Sequence, residues 1–160
     1  MDTDVSRLVQ VILAPVGHRI VDLSNEHDVV AAANAHRLAG VLAEAAVAER
    51  VVVSQEDHVQ LAMRSLGILN LNNQALAALR LAAKRLDDAG LSVAVMKGIA
   101  ISLQTYKRLD VRPASDVDLF MRPGTALLDV VDALGVVLSA DERDGIEGLV
   151  ESRTVFRVLV

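Results

Sequence analysis

The sequence predicts an α/β (α+β-like) protein with a helical N-terminal portion, residues 1–89, and a smaller core of strands and helices, residues 90–160. Ala and Leu recur at helical spacing through the first portion, whereas β-branched runs alternate with short helical stretches after Gly90. With one Tyr, two Phe and no Trp, Val, Ala and Leu must fill the core, which suits helices packed on a small sheet.

Two helices are expected in the first portion. The first spans 24–50 with Ser24 as a possible N-cap, and the short apolar run 51–53 that follows is too brief to classify. The second begins at Ser54, which with the acids at 56 and 57 resembles a capping box, and Gly90 ends it. Its expected apolar stripe consists of Val59, Ala62, Met63, Leu66, Leu69, Leu76, Leu79, Ala83 and Leu86. Asn70, Asn72 and Asn73 interrupt it, which indicates either a break between two helices or a polar face turned toward a site.

The second portion is predicted to be a strand-helix-strand-helix-strand core. A strand over 91–96 leads through Lys97 and Gly98 into a helix over 99–107, and a polar loop then delivers a strictly alternating strand over 116–121. A helix over 125–134, an acidic helix over 141–151 and a final strand over 154–160 complete the chain.

Charge and composition exclude several classes of protein. The 16 basic against 21 acidic residues give a net charge of −5, which argues against a basic nucleic-acid binder. There is no cysteine, so disulfide frameworks and Cys-based metal sites are excluded. The acidic start at Asp2 and Asp4 is unlike a signal peptide, and no apolar run reaches the roughly 18 residues of a membrane span. We therefore expect a cytoplasmic protein with no membrane association.

Asp116 and Asp118 are the strongest candidates for catalysis and for binding a metal ion. Period-two geometry places both carboxylates on the same face of a strand, with Cα atoms roughly 6.6 Å apart. Paired hard oxygen ligands suit Mg²⁺, which binds proteins through one or two carboxylates together with substrate phosphates. The alternative is an ordinary solvated strand face, with Val117, Leu119 and Met121 turned into the core.

Lys97 and Gly98 lie at a predicted strand-to-helix turn. Because glycine has no Cβ, a phosphate could approach the backbone at Gly98, and Lys97 could pair with that phosphate as a point charge. An ordinary turn with a solvated lysine explains the same pattern. Arg112 could hold a phosphate as a bidentate fork, or it could simply pair with Asp110.

Together these segments resemble a family of uncharacterised bacterial nucleotidyltransferases within the polymerase-β superfamily. The resemblance rests on the strand ending in Lys97 and Gly98, on Tyr106 and Arg112, and on the run 115–123 that contains the two aspartates. It extends upstream to the segment 35–42, Ala-His-Arg-Leu-Ala-Gly-Val-Leu, and to the helix carrying Asn72 and Asn73.

The resemblance implies a mixed sheet flanked by helices and the transfer of a nucleoside monophosphate from an NTP to an acceptor hydroxyl. Asp116 and Asp118 would be the catalytic residues and the Mg²⁺ ligands, and Gly98 would be the nucleotide-loop glycine. Lys97, Arg112 and Ser115 would contact the phosphates. The acceptor could be a small molecule, a protein or an RNA.

The chain also departs from the superfamily pattern. The superfamily usually follows its glycine with Ser or Gly, where this chain has Ile99, and it places a third carboxylate on a neighbouring downstream strand, where this chain has Arg157. The family generally runs longer, so the chain is expected to be shortened at its C-terminus. Two alternatives to an active transferase remain. One is a catalytically deficient nucleotide-binding or regulatory module, and the other is a non-enzymatic helical interaction protein that could form a homo-oligomer.

Overall fold

The computed structural model describes residues 20–122 and 124–147 and the backbone of residues 155–159. These residues form a mixture of helices and strands, so the predicted fold class is confirmed. They group into two compact units, which we call the helical unit (the chain up to Asn72 together with Ser102–Pro113) and the sheet unit (Asn73–Ile101 together with the chain from Ala114 onward). The segment Ser102–Pro113 thus belongs to the same unit as the first helices, and the residues from Asn73 to Ile101 belong to the sheet unit.

The described residues of the helical unit include a small parallel ladder and three helices. Strand β1 (Val21–Asp22) pairs with β2 (Val51–Val52), so the unclassified run at 51–53 contains a strand. Its helices are α1 (Val29–Ala35), α2 (Ala39–Val47) and the first half of α3 (Gln55–Asp88), and the segment Ser102–Pro113 also belongs to it. Its buried core consists of Leu23, Val29, Val30, Ala33, Ala39, Leu42, Ala43, Ala45, Val51 and Leu61.

The prediction of a single helix over 24–50 is wrong, because the chain turns between α1 and α2. The amide of Leu38 donates to the Ala33 carbonyl at 2.7 Å and that of Arg37 to the Asn34 carbonyl at 3.0 Å, the bonding pattern of a Schellman cap. Arg37 itself has φ +58°, in the left-handed region. Helical spacing continues through this cap, so periodicity alone does not reveal it.

Helix α3 is continuous over 34 residues, so the asparagines do not mark a break. The N-terminal cap by Ser54 is confirmed, since the Asp57 amide donates to the Ser54 hydroxyl oxygen at 3.1 Å, and Gly90 (φ +72°) ends the helix. The predicted apolar stripe does not match the buried face in the first half of α3, where Val59, Met63 and Leu66 are exposed. The buried positions of α3 are Leu61, Ile68, Asn72, Ala75, Leu79 and Leu86, of which Leu79 and Leu86 belong to the predicted stripe.

The sheet unit is built on three strands in the order β3 (Val93–Met96), β4 (Asp116–Met121) and β5 (Val155–Leu159). Both of its ladders are antiparallel, unlike the mixed sheet that was expected, and β4 is central. Helices α5 (Leu127–Leu134) and α6 (Ala140–Glu147) also belong to this unit. The rest of the predicted acidic helix, 148–151, lies outside the described residues, as do Asp2 and Asp4.

The helix predicted over 99–107 is shorter than expected. Helix α4 (Gly98–Ile101) has four residues and passes into a π-helical turn, Ser102–Tyr106. Among residues 20–122 and 124–147, no helix has the length and apolar character needed to cross a membrane.

Candidate functional site

Strand β4 has one buried apolar face and one face that carries both aspartates. Val117, Leu119 and Met121 are buried on the first face, as the alternating pattern predicts. On the other face Asp116 is half-buried, whereas Asp118 is only 3% exposed. Burial of an ionised carboxylate is costly unless a partner compensates its charge, so Asp118 does not fit the interpretation as a solvated strand face.

Lys97 lies beside the buried carboxylate. Met96, the last residue of β3, is in register with Asp118, so the next residue along the chain reaches the same end of the ladder. The Lys97 Nζ is 3.4 Å from the Asp118 Oδ2, and the lysine side chain is 55% exposed. The pair therefore joins a buried anion to a cation that still contacts solvent. Lys97 also has φ +54°, a left-handed conformation that costs a non-glycine residue about 1–2 kcal/mol.

Gly98 packs directly against the segment that leads into β4. A Cβ added there would lie 3.1 Å from the Ala114 Cβ and 3.6 Å from the Asp116 carbonyl oxygen. A glycine at this position is therefore explained by close packing of the turn on the start of β4. Its predicted contact with a phosphate stays a prediction. Ser115, next to the first aspartate, is exposed.

Arg112 lies in the helical unit, whereas Lys97, Gly98, Ser115 and the two aspartates lie in the sheet unit. It does not pair with Asp110, as one alternative suggested, because that carboxylate is bound by Arg108. The Arg108 Nε and Nη2 donate to the two Asp110 carboxylate oxygens at 2.9 and 2.6 Å. This bidentate contact, assisted by the Ser65 hydroxyl, lowers the pKa of Asp110 below its ordinary value.

The loop 108–113 is held by polar and small side chains distant in sequence. Asn72 is fully buried, and its Nδ2 donates to the Leu109 carbonyl at 2.6 Å and to the Arg112 carbonyl at 2.7 Å. The Ser102 hydroxyl also donates to the Arg112 carbonyl, at 3.3 Å. Helix α2 approaches so closely that a Cβ on Gly40 would lie 2.0 Å from the Val111 carbonyl oxygen.

Sequence reasoning missed these roles. It noticed that Asn72 is polar within an apolar helix, but neither a helix break nor a polar face turned toward a site describes a buried amide that binds loop carbonyls. It gave no role to Gly40. A helical glycine that is neither a cap nor a turn is a sign of close backbone approach, and that sign could have been used.

One comparison with known proteins decides the family. A family model described as an uncharacterised nucleotidyltransferase matches residues 22–136, more than two thirds of the chain. The chain belongs to this nucleotidyltransferase family. The comparisons with curated proteins and with solved structures found no match.

The match to the nucleotidyltransferase family includes both sets of residues described above. It contains β3, the Lys97 turn and β4, and it also contains α1 to α3 and the loop 108–113. It therefore confirms the resemblance first suggested by the lysine-glycine turn and the aspartate strand. Helix α6 and strand β5 lie beyond the matched residues.

Strand β5 bears on the third carboxylate expected of a nucleotidyltransferase. Its register places Arg157 opposite Asp118 and Leu159 opposite Asp116. Within residues 20–122 and 124–147, no cluster of three acidic or histidine side chains has a geometry suited to a metal ion. The site described here therefore consists of the Asp116 and Asp118 carboxylates, the Lys97 ammonium and the Gly98 turn.

Proposed function

We propose that this protein transfers a nucleoside monophosphate from an NTP to an acceptor hydroxyl in a Mg²⁺-dependent reaction. The observation that carries the proposal is that β4 presents Asp116 and Asp118 on one face, with Asp118 buried and ion-paired to Lys97. A carboxylate that is 3% exposed, on the face of the strand that also carries a second carboxylate, is more than a solvated surface feature.

The donor atoms on this face fit a magnesium ion. Mg²⁺ commonly binds through one or two protein carboxylates together with substrate phosphates. Here both carboxylates would come from rigid strand positions. Asp116 and Asp118 would hold the ion, and a bound Mg²⁺ would neutralise charge on the triphosphate and on the leaving pyrophosphate.

The neighbouring residues would act on the phosphates directly. Lys97 keeps about half of its side chain in solvent while its Nζ lies beside Asp118, so it can serve a phosphate as a point charge. The exposed Ser115 hydroxyl precedes the first aspartate and can donate a hydrogen bond. The role of Gly98 is to bring the lysine turn against the start of β4.

In the transfer the acceptor oxygen forms a bond to the α-phosphorus while the bond from that phosphorus to the α–β bridging oxygen breaks. Pyrophosphate leaves, and the hydroxyl proton passes to water. Positioning and charge neutralisation supply most of the rate in reactions of this kind, so two carboxylates and a lysine can contribute without covalent chemistry of their own.

A second candidate is a nucleotide-binding module that does not catalyse transfer. It is favoured by Arg157, which holds the register position opposite Asp118 where the superfamily pattern leads us to expect an acid. Such a module would bind NTP and metal through the same two aspartates.

Metal and nucleotide binding test what the two candidates share. We would titrate Mn²⁺, followed by its paramagnetic resonance signal, into the protein with a non-hydrolysable NTP analogue, using wild type, Asp116→Asn, Asp118→Asn and the control Asp144→Asn. Asp144 is exposed on α6, so its amide variant changes charge without touching β4. Both β4 variants should weaken Mn²⁺ binding at least 10-fold, and the control should not. Wild-type binding no tighter than that of the two β4 variants would overturn both candidates.

A measurement of label transfer distinguishes the active transferase from the non-catalytic module. Incubation with α-labelled NTP, Mg²⁺ and pools of small molecules, proteins or RNA should transfer label to one acceptor class with release of pyrophosphate, and Asp118→Asn should abolish it. Nucleotide binding without label transfer to any pool would select the non-catalytic module.

A further inference from the structure

The helical unit contains a polar pocket whose lining includes none of the residues that the proposed function uses. It has a volume of about 250 Å³ and lies where the end of α1, the start of α2 and the segment 106–113 meet. Its polar side chains are those of His36, Arg37, Tyr106 and Arg112. All of its lining belongs to one compact unit.

The pocket is basic in an acidic protein. The chain carries a net charge of −5, yet the lining contains two arginines and a histidine and no carboxylate. Within the described residues neither arginine is ion-paired, whereas Arg50, Arg108 and Arg143 each contact an acid. Two arginines that line one pocket, with no acid among its lining residues, form a set of side chains suited to binding phosphate.

The backbone of Arg112 is anchored so that this charge remains available. Its carbonyl accepts hydrogen bonds from Asn72 and from Ser102, which fix the chain at this point. Asp110, two residues away, is already bound by Arg108 through both carboxylate oxygens. The nearest carboxylate in sequence is therefore occupied by another cation.

Arg37 occupies a backbone position at which glycine would be favoured. It has φ +58° at the left-handed position of the α1 cap, whereas the corresponding caps of α3 and α5 have Gly90 and Gly135. A left-handed arginine costs stability that a glycine would not. Replacing Arg37 by Gly would therefore remove the cation from the pocket while relieving the backbone.

We propose that this pocket binds a phosphate group, held by bidentate contacts from Arg37 and Arg112 with additional donors from His36 and Tyr106. The phosphate could belong to a free nucleotide or to a phosphorylated acceptor, and the chemistry of recognition is the same for both. The resemblance already implies a phosphate contact for Arg112. The pocket adds Arg37, His36 and Tyr106 to it, and phosphate binding there requires neither Asp116 nor Asp118.

Calorimetric titration of the full chain with inorganic pyrophosphate, in EDTA so that no divalent metal takes part, tests the site directly. Wild type should bind saturably, and Arg112→Gln should weaken binding on the order of 10-fold or more because one charged, bidentate partner is lost. Arg37→Gly should weaken binding similarly while leaving the melting temperature unchanged or raised. Absence of saturable pyrophosphate binding by wild type would overturn the proposal.

The chain offers a matched control for the glycine substitution. Glu49 has φ +56° at the equivalent position of the α2 cap, where the Arg50 amide donates to the Ala45 carbonyl. Glu49→Gly makes the same change of backbone preference without removing a cation, and it should leave pyrophosphate affinity within 2-fold of wild type. Equal loss of affinity in Glu49→Gly and Arg37→Gly would show that the backbone, not the guanidinium, is responsible.

Two further titrations identify the source of the phosphate. If ATP in EDTA binds more tightly than glycerol phosphate and is weakened by Arg37→Gly, the pocket holds a nucleotide. If glycerol phosphate competes with pyrophosphate while ATP does not, it holds a phosphorylated acceptor. Short single-stranded RNA that binds far more tightly than pyrophosphate, with the same sensitivity to Arg37→Gly, would overturn the small-molecule assignment.

Discussion

The side chain of Asn72 on α3 donates to the main-chain carbonyl of Arg112 at 2.7 Å, across 40 positions of sequence. A second bond from the same amide reaches the Leu109 carbonyl at 2.6 Å. One fully buried amide thus holds the loop that ends immediately before β4 and its aspartates. This contact explains why a polar residue occupies a buried position of a long helix.

Replacing Asn72 with Ala should destabilise the protein by about 2–4 kcal/mol, because the Leu109 carbonyl loses a donor, the Arg112 carbonyl keeps only the bond from Ser102, and a cavity is left at a buried position. Asn73→Ala is the matched control, since Asn73 is the next residue of the same helix and is exposed. Its effect should stay within about 0.5 kcal/mol. Chemical denaturation of both variants measures the difference, and equal stabilities would contradict a structural role for the Asn72 amide.

Gly40 and Gly67 are both helical glycines, but substitution by Ala should act in opposite directions. At Gly40 the new Cβ would lie 2.0 Å from the Val111 carbonyl oxygen, so the loop would have to move at a cost of about 3 kcal/mol or more. At Gly67 nothing lies within 4 Å, so Ala should raise stability by about 0.5–1 kcal/mol through helix propensity. Melting temperatures of the two variants check this, and a stable Gly40→Ala protein would show that α2 does not need such close approach.

Gly98 and Ala114 should behave as a size-complementary pair. Gly98→Ala would place its Cβ 3.1 Å from that of the buried Ala114, which should cost about 1–3 kcal/mol. Adding Ala114→Gly removes the opposing methyl group, so the double variant should be more stable than the sum of the two single effects predicts. A double-mutant cycle by denaturation measures the coupling, and strict additivity would argue that the two Cβ positions do not compete.

Much of the fold could be predicted because its patterns are local. The alternation in β4, the Ser54 cap and the Gly90 stop each depend on residues within a few positions of one another. The same alternation predicted that Asp116 and Asp118 share a face. The ion pair between Lys97 and Asp118 could not be predicted in this way, because it requires the register of β3 on β4.

The parts that were missed depend on contacts between distant segments. The buried face of α3 includes Asn72 because loop carbonyls 37 and 40 residues away accept its hydrogen bonds, and an apolar stripe drawn from the sequence cannot include it. The turn at Arg37 was missed because non-glycine residues rarely adopt the left-handed conformation. The pocket that contains Arg37 and Arg112 was missed for both reasons.

The contact between Arg108 and Asp110 predicts a pH dependence of stability. The pKa of Asp110 is lowered in the folded protein, first by its hydrogen bonds to Arg108. A lowered pKa means that the stabilisation is present above the unfolded pKa near 3.8 and is lost as the pH falls through the folded value. Because the Arg108 side chain is 43% exposed, solvent screening limits the contribution at pH 7 to about 0.5–1 kcal/mol.

Asp110→Asn should therefore lower the free energy of unfolding at pH 7, and its difference from wild type should shrink as the pH falls below about 3.8. Urea denaturation at a series of pH values from about 2.5 to about 7 measures this difference. Asp144→Asn removes a charge from an exposed helix position and serves as the control. A deficit in Asp110→Asn that stays constant across this range would show that its cause is the lost packing or geometry of the loop and not the ionised carboxylate.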